Sequence, residues 1–161
     1  MWHDHAFCGS GRLAQALGPM RAVLSVVLAV SFIALALMHV YWAFGGSVGK
    51  AAAVPHVNGA PTFEPSRGGT LAVAFVLALC ALLVLSVAAL VALPVPHALL
   101  TWLAYALSLG LFLRAVGDFR LVGFFKRVRG SRFAQLDTLV FSPLCLALSV
   151  GVLVVAYAHG P

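Results

Sequence analysis

His39 and Asp118 are of types suited to act as acid and base on one substrate, a histidine exchanging protons near neutral pH and a carboxylate taking one up. His39 opens the stretch HVYWAFGG, residues 39–46. Asp118 lies in GDFRLVGFFKRVRGSRFAQLDT, residues 117–138. Arg114 precedes Asp118 by four residues, the spacing at which opposite charges pair on a helix. Around this pair, Arg120, Lys126, Arg127, Arg129 and Arg132 alternate with Phe119, Phe124, Phe125 and Phe133. Cations hold phosphate or carboxylate and rings hold an apolar tail, so the mixture suits a lipid or isoprenoid headgroup at a membrane boundary. The expected contacts for an anionic amphipathic ligand are His39, Tyr41, Trp42, Arg114, Asp118, Arg120, Lys126 and Arg127. Tyr41 and Trp42 are also what an interfacial aromatic belt supplies, whereas a histidine there usually seeks a partner.

Other chemistries fit less well. Cys8, Cys80 and Cys145 form no CxxC pair, and two lie in apolar runs, so they read as small buried hydrophobes and not as a redox centre. His3, Asp4 and His5 belong to a low-pattern terminus and read as tail, leaving no metal site. Thr101, Tyr105 and Ser108 recur at helical spacing on one face, which predicts hydrogen bonds between helices or a lined cavity. No acidic residue lies at a span centre to couple ion transport, and the first span lacks the glutamate of a small multidrug exporter. No cofactor is indicated by any motif.

The elements that must position these residues follow from composition. The chain is 63% hydrophobic and 9% charged, with a mean hydropathy of +1.07, which places it in a membrane. Four windows are long enough to cross the bilayer, at about 22–44, 70–93, 98–116 and 138–158, and the backbone must satisfy itself there as helix. The expected fold is an all-α integral membrane four-helix bundle over residues 20–161, with residues 1–19 a flexible extension. PVPH, Pro94 to His97, predicts a tight antiparallel turn between spans two and three. Asp137 is expected to cap a fourth helix kinked at Pro143, with Ser142, Cys145 and Ser149 on its inward face. Ser25, Phe32, His39 and Gly46 share a face of the first helix, which directs His39 toward its neighbours.

Lys50, Arg67, Arg120, Lys126, Arg127, Arg129 and Arg132 fall in the two long loops, against Arg12 and Arg21 at the other end. Both loops, one Gly/Pro-rich over 45–69 and one basic and aromatic, are therefore expected at the cytoplasmic face of a bacterial inner membrane. The positive charge reports orientation and lipid headgroups, not nucleic acid.

HVYWAFGG at 39–46, AAAVP at 51–55 and the segment 117–138 together resemble the small bacterial membrane proteins grouped as domain of unknown function 3995, from about Met20 to the end. The resemblance implies a four-span protein of about this length and brings no activity, cofactor or catalytic residue. Three functions remain open: a ligand- or lipid-binding protein, an enzyme using His39 and Asp118, or an accessory subunit docking a membrane partner or a second copy through its basic aromatic loop.

Overall fold

A computed structural model describes the backbone of residues 7–49, 54, 56–57, 60–61, 65–117, 122–127 and 132–160, with side chains from residue 18 onward outside a short β pair. Four helices carry the fold: α1 (Phe7–Ala43), α2 (Arg67–Val87), α3 (His97–Val116) and α4 (Arg132–Ala158). Each contains a stretch apolar and long enough to cross a membrane, beginning at Gly18 in α1. Helical backbone in α1 reaches back to Phe7, inside the stretch read as an extension. Within the loop after α1, His56–Val57 pair antiparallel with Ala60–Pro61.

The helix limits have local causes. The Ser66 hydroxyl accepts the Gly69 amide at 3.1 Å and starts α2 at Arg67, three residues before the apolar run begins. At the other end α2 stops at Val87, well short of the expected Leu93. Ala89 turns left-handed at φ +56°, and the amides of Leu90 and Val91 both fold back onto the Leu85 carbonyl. The turn between α2 and α3 therefore spans residues 88–96 instead of the four residues PVPH. His97, the first residue of α3, closes it: its Nε2–H donates to the Val87 carbonyl at 3.2 Å, one of the acceptors a helix end leaves orphaned.

Ladders of contacts run in opposite directions along α3 and α4: Arg114 meets Asp137, and Ser108 meets Ser149. They are antiparallel. Leu28 lies against Gly151, and Met20, Arg21 and Leu24 share a groove with Val154, Tyr157 and Ala158, so α1 is antiparallel to α4 as well. The end of α1, the end of α3 and the start of α4 consequently lie at one end of the bundle. α1 packs most extensively on α2, and α3 on α4. The core comprises Leu28, Phe32, Val84, Val87, Leu100, Ala104, Leu148, Val152 and Val155. Val23, Val30, Leu37, Phe75, Trp102, Leu109 and Tyr157 are exposed on the outside, as lipid-facing positions should be.

Association of helices in lipid depends on close packing and hydrogen bonds, because the acyl chains are as apolar as leucine. Gly151 supplies the packing: a Cβ there would come within 2.7 Å of a Leu28 methyl. The serines supply the hydrogen bonds, with Ser108 Oγ donating to the Ser149 carbonyl at 2.9 Å and Ser149 Oγ donating to the Ser108 carbonyl at 2.8 Å. Ser108→Ala and Ser149→Ala should each cost about 1 kcal/mol in reversible unfolding from mixed micelles, nearly additively, because each removes one hydroxyl donor and leaves the facing backbone carbonyl in place. Single variants as stable as wild type would contradict a role for these bonds.

Candidate functional site

Asp137 is the most demanding residue in the protein. It lies at the start of α4's irregular section, completely buried, and a carboxylate in that position requires compensation from charge and hydrogen bonds. Both are present. Oδ1 accepts from Arg114 Nη2 at 2.9 Å, while Oδ2 accepts from Lys126 Nζ at 3.0 Å and from the Gly123 amide at 2.7 Å. Lys126 is itself buried, at 2% exposure, and donates further to the Gly123 carbonyl at 2.9 Å and the Thr138 hydroxyl at 2.6 Å. An ammonium has three protons, and these three acceptors match them. Among the described residues, two cations face this one carboxylate.

Local backbone explains how one loop reaches this carboxylate. α3 ends at Gly117, with φ +95° and ψ −178°, a conformation open essentially to glycine alone. Gly123, at φ +90°, returns the chain, and the Phe124 amide donates to the Ala115 carbonyl at 3.0 Å. The two glycines touch so closely that a Cβ on Gly117 would overlap the Val122 carbonyl and one on Gly123 the Val116 carbonyl. Residues 122–127 thereby fold against the ends of α3 and α4. Their side chains then divide: Lys126 points inward to Asp137, while Phe125, 63% exposed, and Arg127 point outward.

A π turn, Asp137–Phe141, sets the orientation on α4. The Ser142 amide donates to the Asp137 carbonyl five residues back, immediately before Pro143, which has no N–H to offer Leu139. In a regular α-helix, side chains five apart diverge by about 140°. The π turn brings Asp137 and Ser142 to the same inward side, and both are fully buried. α4 therefore starts at Arg132, five residues before the expected cap, and Asp137 is a helix-interior residue bonded to a distant loop. Its role as an N-cap is corrected accordingly.

The other predicted residues are placed as follows. His39 is half-buried at the same end; its Nδ1–H donates to the Leu35 carbonyl at 2.8 Å, and its ring meets Trp42 edge-on at 5.1 Å. That bond leaves Nε2 as the ring nitrogen available to a further partner. Trp42 Nε1 donates to the Val48 carbonyl at 2.8 Å and pins the chain leaving the helix. Tyr41 is exposed, and its ring underlies Gly46, where a Cβ would overlap it. Gly45, at φ +98°, and the Gly46 amide bonded to the Tyr41 carbonyl at 2.9 Å form the helix end, so the glycine pair is a cap. Arg114 is brought onto Asp137. Asp118 and Arg120 lie outside the described residues, as do Lys50 and Arg129. Among the described residues no group of three or more histidine, cysteine or acidic side chains could hold a metal ion.

Spacing along the chain suggests Asp118 as a partner of Arg114 and Asp137 only as a helix cap, whereas the structure shows Asp137 bound to Arg114. A signal was available: Asp137 is one of only four acidic residues and stands within QLDTLVFSPL, beside an apolar run and a proline. An ionisable residue at that place is a site hypothesis in its own right.

No curated protein and no solved structure matches this chain. The profile of the family described as "Protein of unknown function (DUF3995)" matches residues 32–152, a stretch that includes the end of α1, the glycine-closed loop, Asp137 and the π turn. With the match covering most of its length and four membrane-length helices in place, this chain belongs to that family.

Proposed function

We propose that this membrane protein binds an anionic amphipathic molecule at the bundle end where α1 and α3 finish and α4 begins, with the basic aromatic loop forming one side of the site. The observation that carries the reading is the docking of residues 122–127 on Asp137, which turns Lys126 inward and leaves Arg127 and Phe125 facing outward. A cation and a ring held on the same short turn suit a charged headgroup joined to an apolar tail. An open apolar groove along the end of α1, lined by Ala34, Leu37, Met38, Tyr41 and Val48, offers the tail a surface at the same end. His39, through its Nε2, and Trp42 would border the headgroup, with Arg114, Arg120, Asp118 and Arg127 around it. Lys126 contributes by holding the loop.

In this reading the protein is in the bacterial inner membrane with both long loops cytoplasmic, which follows from the placement of its basic residues. Converting Arg120 and Arg127 together to glutamine should reduce an anionic lipid that copurifies with the protein at least severalfold, measured by mass spectrometry against wild type. Lys126 is left intact in that variant, because its loss would disturb the fold as well. An unchanged lipid complement would end the proposal, and a stoichiometric protein copurifying in its place would favour an accessory subunit.

A further inference from the structure

Two buried polar groups beside Asp137 have no hydrogen-bond partner among the described residues: Arg114 Nη1 and Ser142 Oγ. Each belongs to a residue bonded to Asp137. Arg114 reaches the Asp137 carboxylate through its other terminal nitrogen, and Ser142 is joined to the Asp137 carbonyl through its amide, its side chain brought to the same inward side by the π turn. The π turn adds an irregularity at this level. The Thr138 carbonyl loses its α-helical donor, since the Ser142 amide serves Asp137, and the residue that would serve it in a continued π register is Pro143, which has no N–H. A regular helix would have avoided this. Leaving an enclosed donor unmade costs of the order of a lost hydrogen bond, and here it applies to the Ser142 hydroxyl and to Nη1 of an arginine whose side chain is otherwise 37% exposed.

We propose that Arg114 Nη1 and Ser142 Oγ form an oxyanion subsite for a phosphodiester, the anionic end of the amphipathic ligand class above. This inference rests on that binding reading and names its anchor. Both groups are donors, as an oxyanion requires. Arg114 is a permanent cation and a phosphodiester an anion, so the contact is charge-assisted. The guanidinium fork is suited to bridging two acceptors, with the Asp137 carboxylate on one nitrogen and a phosphate oxygen on the other.

The test uses the full chain in micelles of a neutral detergent, with native mass spectrometry for bound lipid and thermal unfolding for the fold. Phosphatidylglycerol is the monoanionic diester probe, and phosphatidylcholine, oleate and inorganic phosphate are the comparisons. Wild type should retain one phosphatidylglycerol in preference to phosphatidylcholine. Ser142→Ala should weaken that retention about tenfold or more, the effect of one hydrogen bond to an anion, while leaving the lipid-free unfolding midpoint unchanged, because the hydroxyl has no partner to lose among the described residues. Arg114→Lys should abolish single-lipid retention. Competition by inorganic phosphate at millimolar concentration would support the subsite and identify free phosphate as its occupant. Retention of oleate equal to that of phosphatidylglycerol would overturn the phosphate assignment. If Ser142→Ala and Arg114→Lys both retain phosphatidylglycerol as wild type does while the Arg120/Arg127 variant loses it, the subsite is wrong and the binding reading stands. If wild type retains no anionic lipid at all, both fall.

Discussion

Replacing Asp137 with alanine should destabilise the protein by about 3–5 kcal/mol, the cost of removing one partner from a buried ion pair. The change removes a carboxylate acceptor from the almost fully enclosed Lys126 and strips the Gly123 amide of its acceptor as well. Two consequences distinguish this from an ordinary core defect. First, residues 122–127 should become accessible to limited proteolysis, because Asp137 supplies two of the bonds that dock them. Second, Asp137→Asn should recover only part of the loss: the amide oxygen can still accept one donor, but the charge that balances Arg114 and Lys126 is absent. The double variant Asp137→Leu with Lys126→Met removes both charges and should recover more than Asp137→Asn does, as replacement of buried ion pairs by apolar residues commonly shows. Thermal or denaturant unfolding in micelles checks the series. An Asp137→Ala protein as stable as wild type would mean that the cluster is not what holds the loop.

Gly117→Ala is expected to be nearly as costly and for a different reason. At φ +95° and ψ −178° the backbone is in a region that a Cβ penalises by about 1–3 kcal/mol before any contact is counted. The contact is then added: the new methyl group would overlap the Val122 carbonyl, which is backbone held in place by Gly123 and the bond from Phe124 to Ala115. A total of about 3 kcal/mol or more follows, with the loop displaced from Asp137. Gly110→Ala is the control, since nothing lies within 4 Å of a Cβ at that position and alanine is the better helix former. Comparable unfolding midpoints for the two variants would show that the glycine closure is dispensable.

Much of the fold could be read from the chain without coordinates, and the reason is that membrane spans are local. Roughly 20 apolar residues in succession, flanked by charge or proline, dictate a helix in lipid whatever the rest of the chain does. The windows near 22–44 and 98–116 end within a residue or so of α1 and α3. The ends of α2 and α4 were less legible. α2 stops at Val87 because two amides wrap onto Leu85 and His97 reaches back to the Val87 carbonyl, an arrangement that depends on where α3 lies. α4 extends to Arg132, where Phe133 and Ala134 are buried and the Phe133 ring lies 6.2 Å from that of Phe141 further along the same helix.

The candidate site divides along the same line. Residue types and positions alone place cations and rings near one end and an acid beside the basic loop; His39, expected to face the other helices, is half-buried with its contacts to Leu35 and Trp42 of its own helix. Which acid could not be settled by spacing. Arg114 and Asp118 satisfy the helical rule for a pair, but the rule holds only while the helix continues, and Gly117 ends it between them. Asp137, 23 residues away in sequence, becomes Arg114's partner because α3 and α4 are antiparallel and a π turn rotates its carboxylate inward. The sequence by itself determined a membrane-embedded four-helix chain with a charged end, since hydropathy and charge act residue by residue. Only the tertiary structure decided that Lys126 is buried and Arg127 is not, because that choice depends on a carboxylate supplied from another helix.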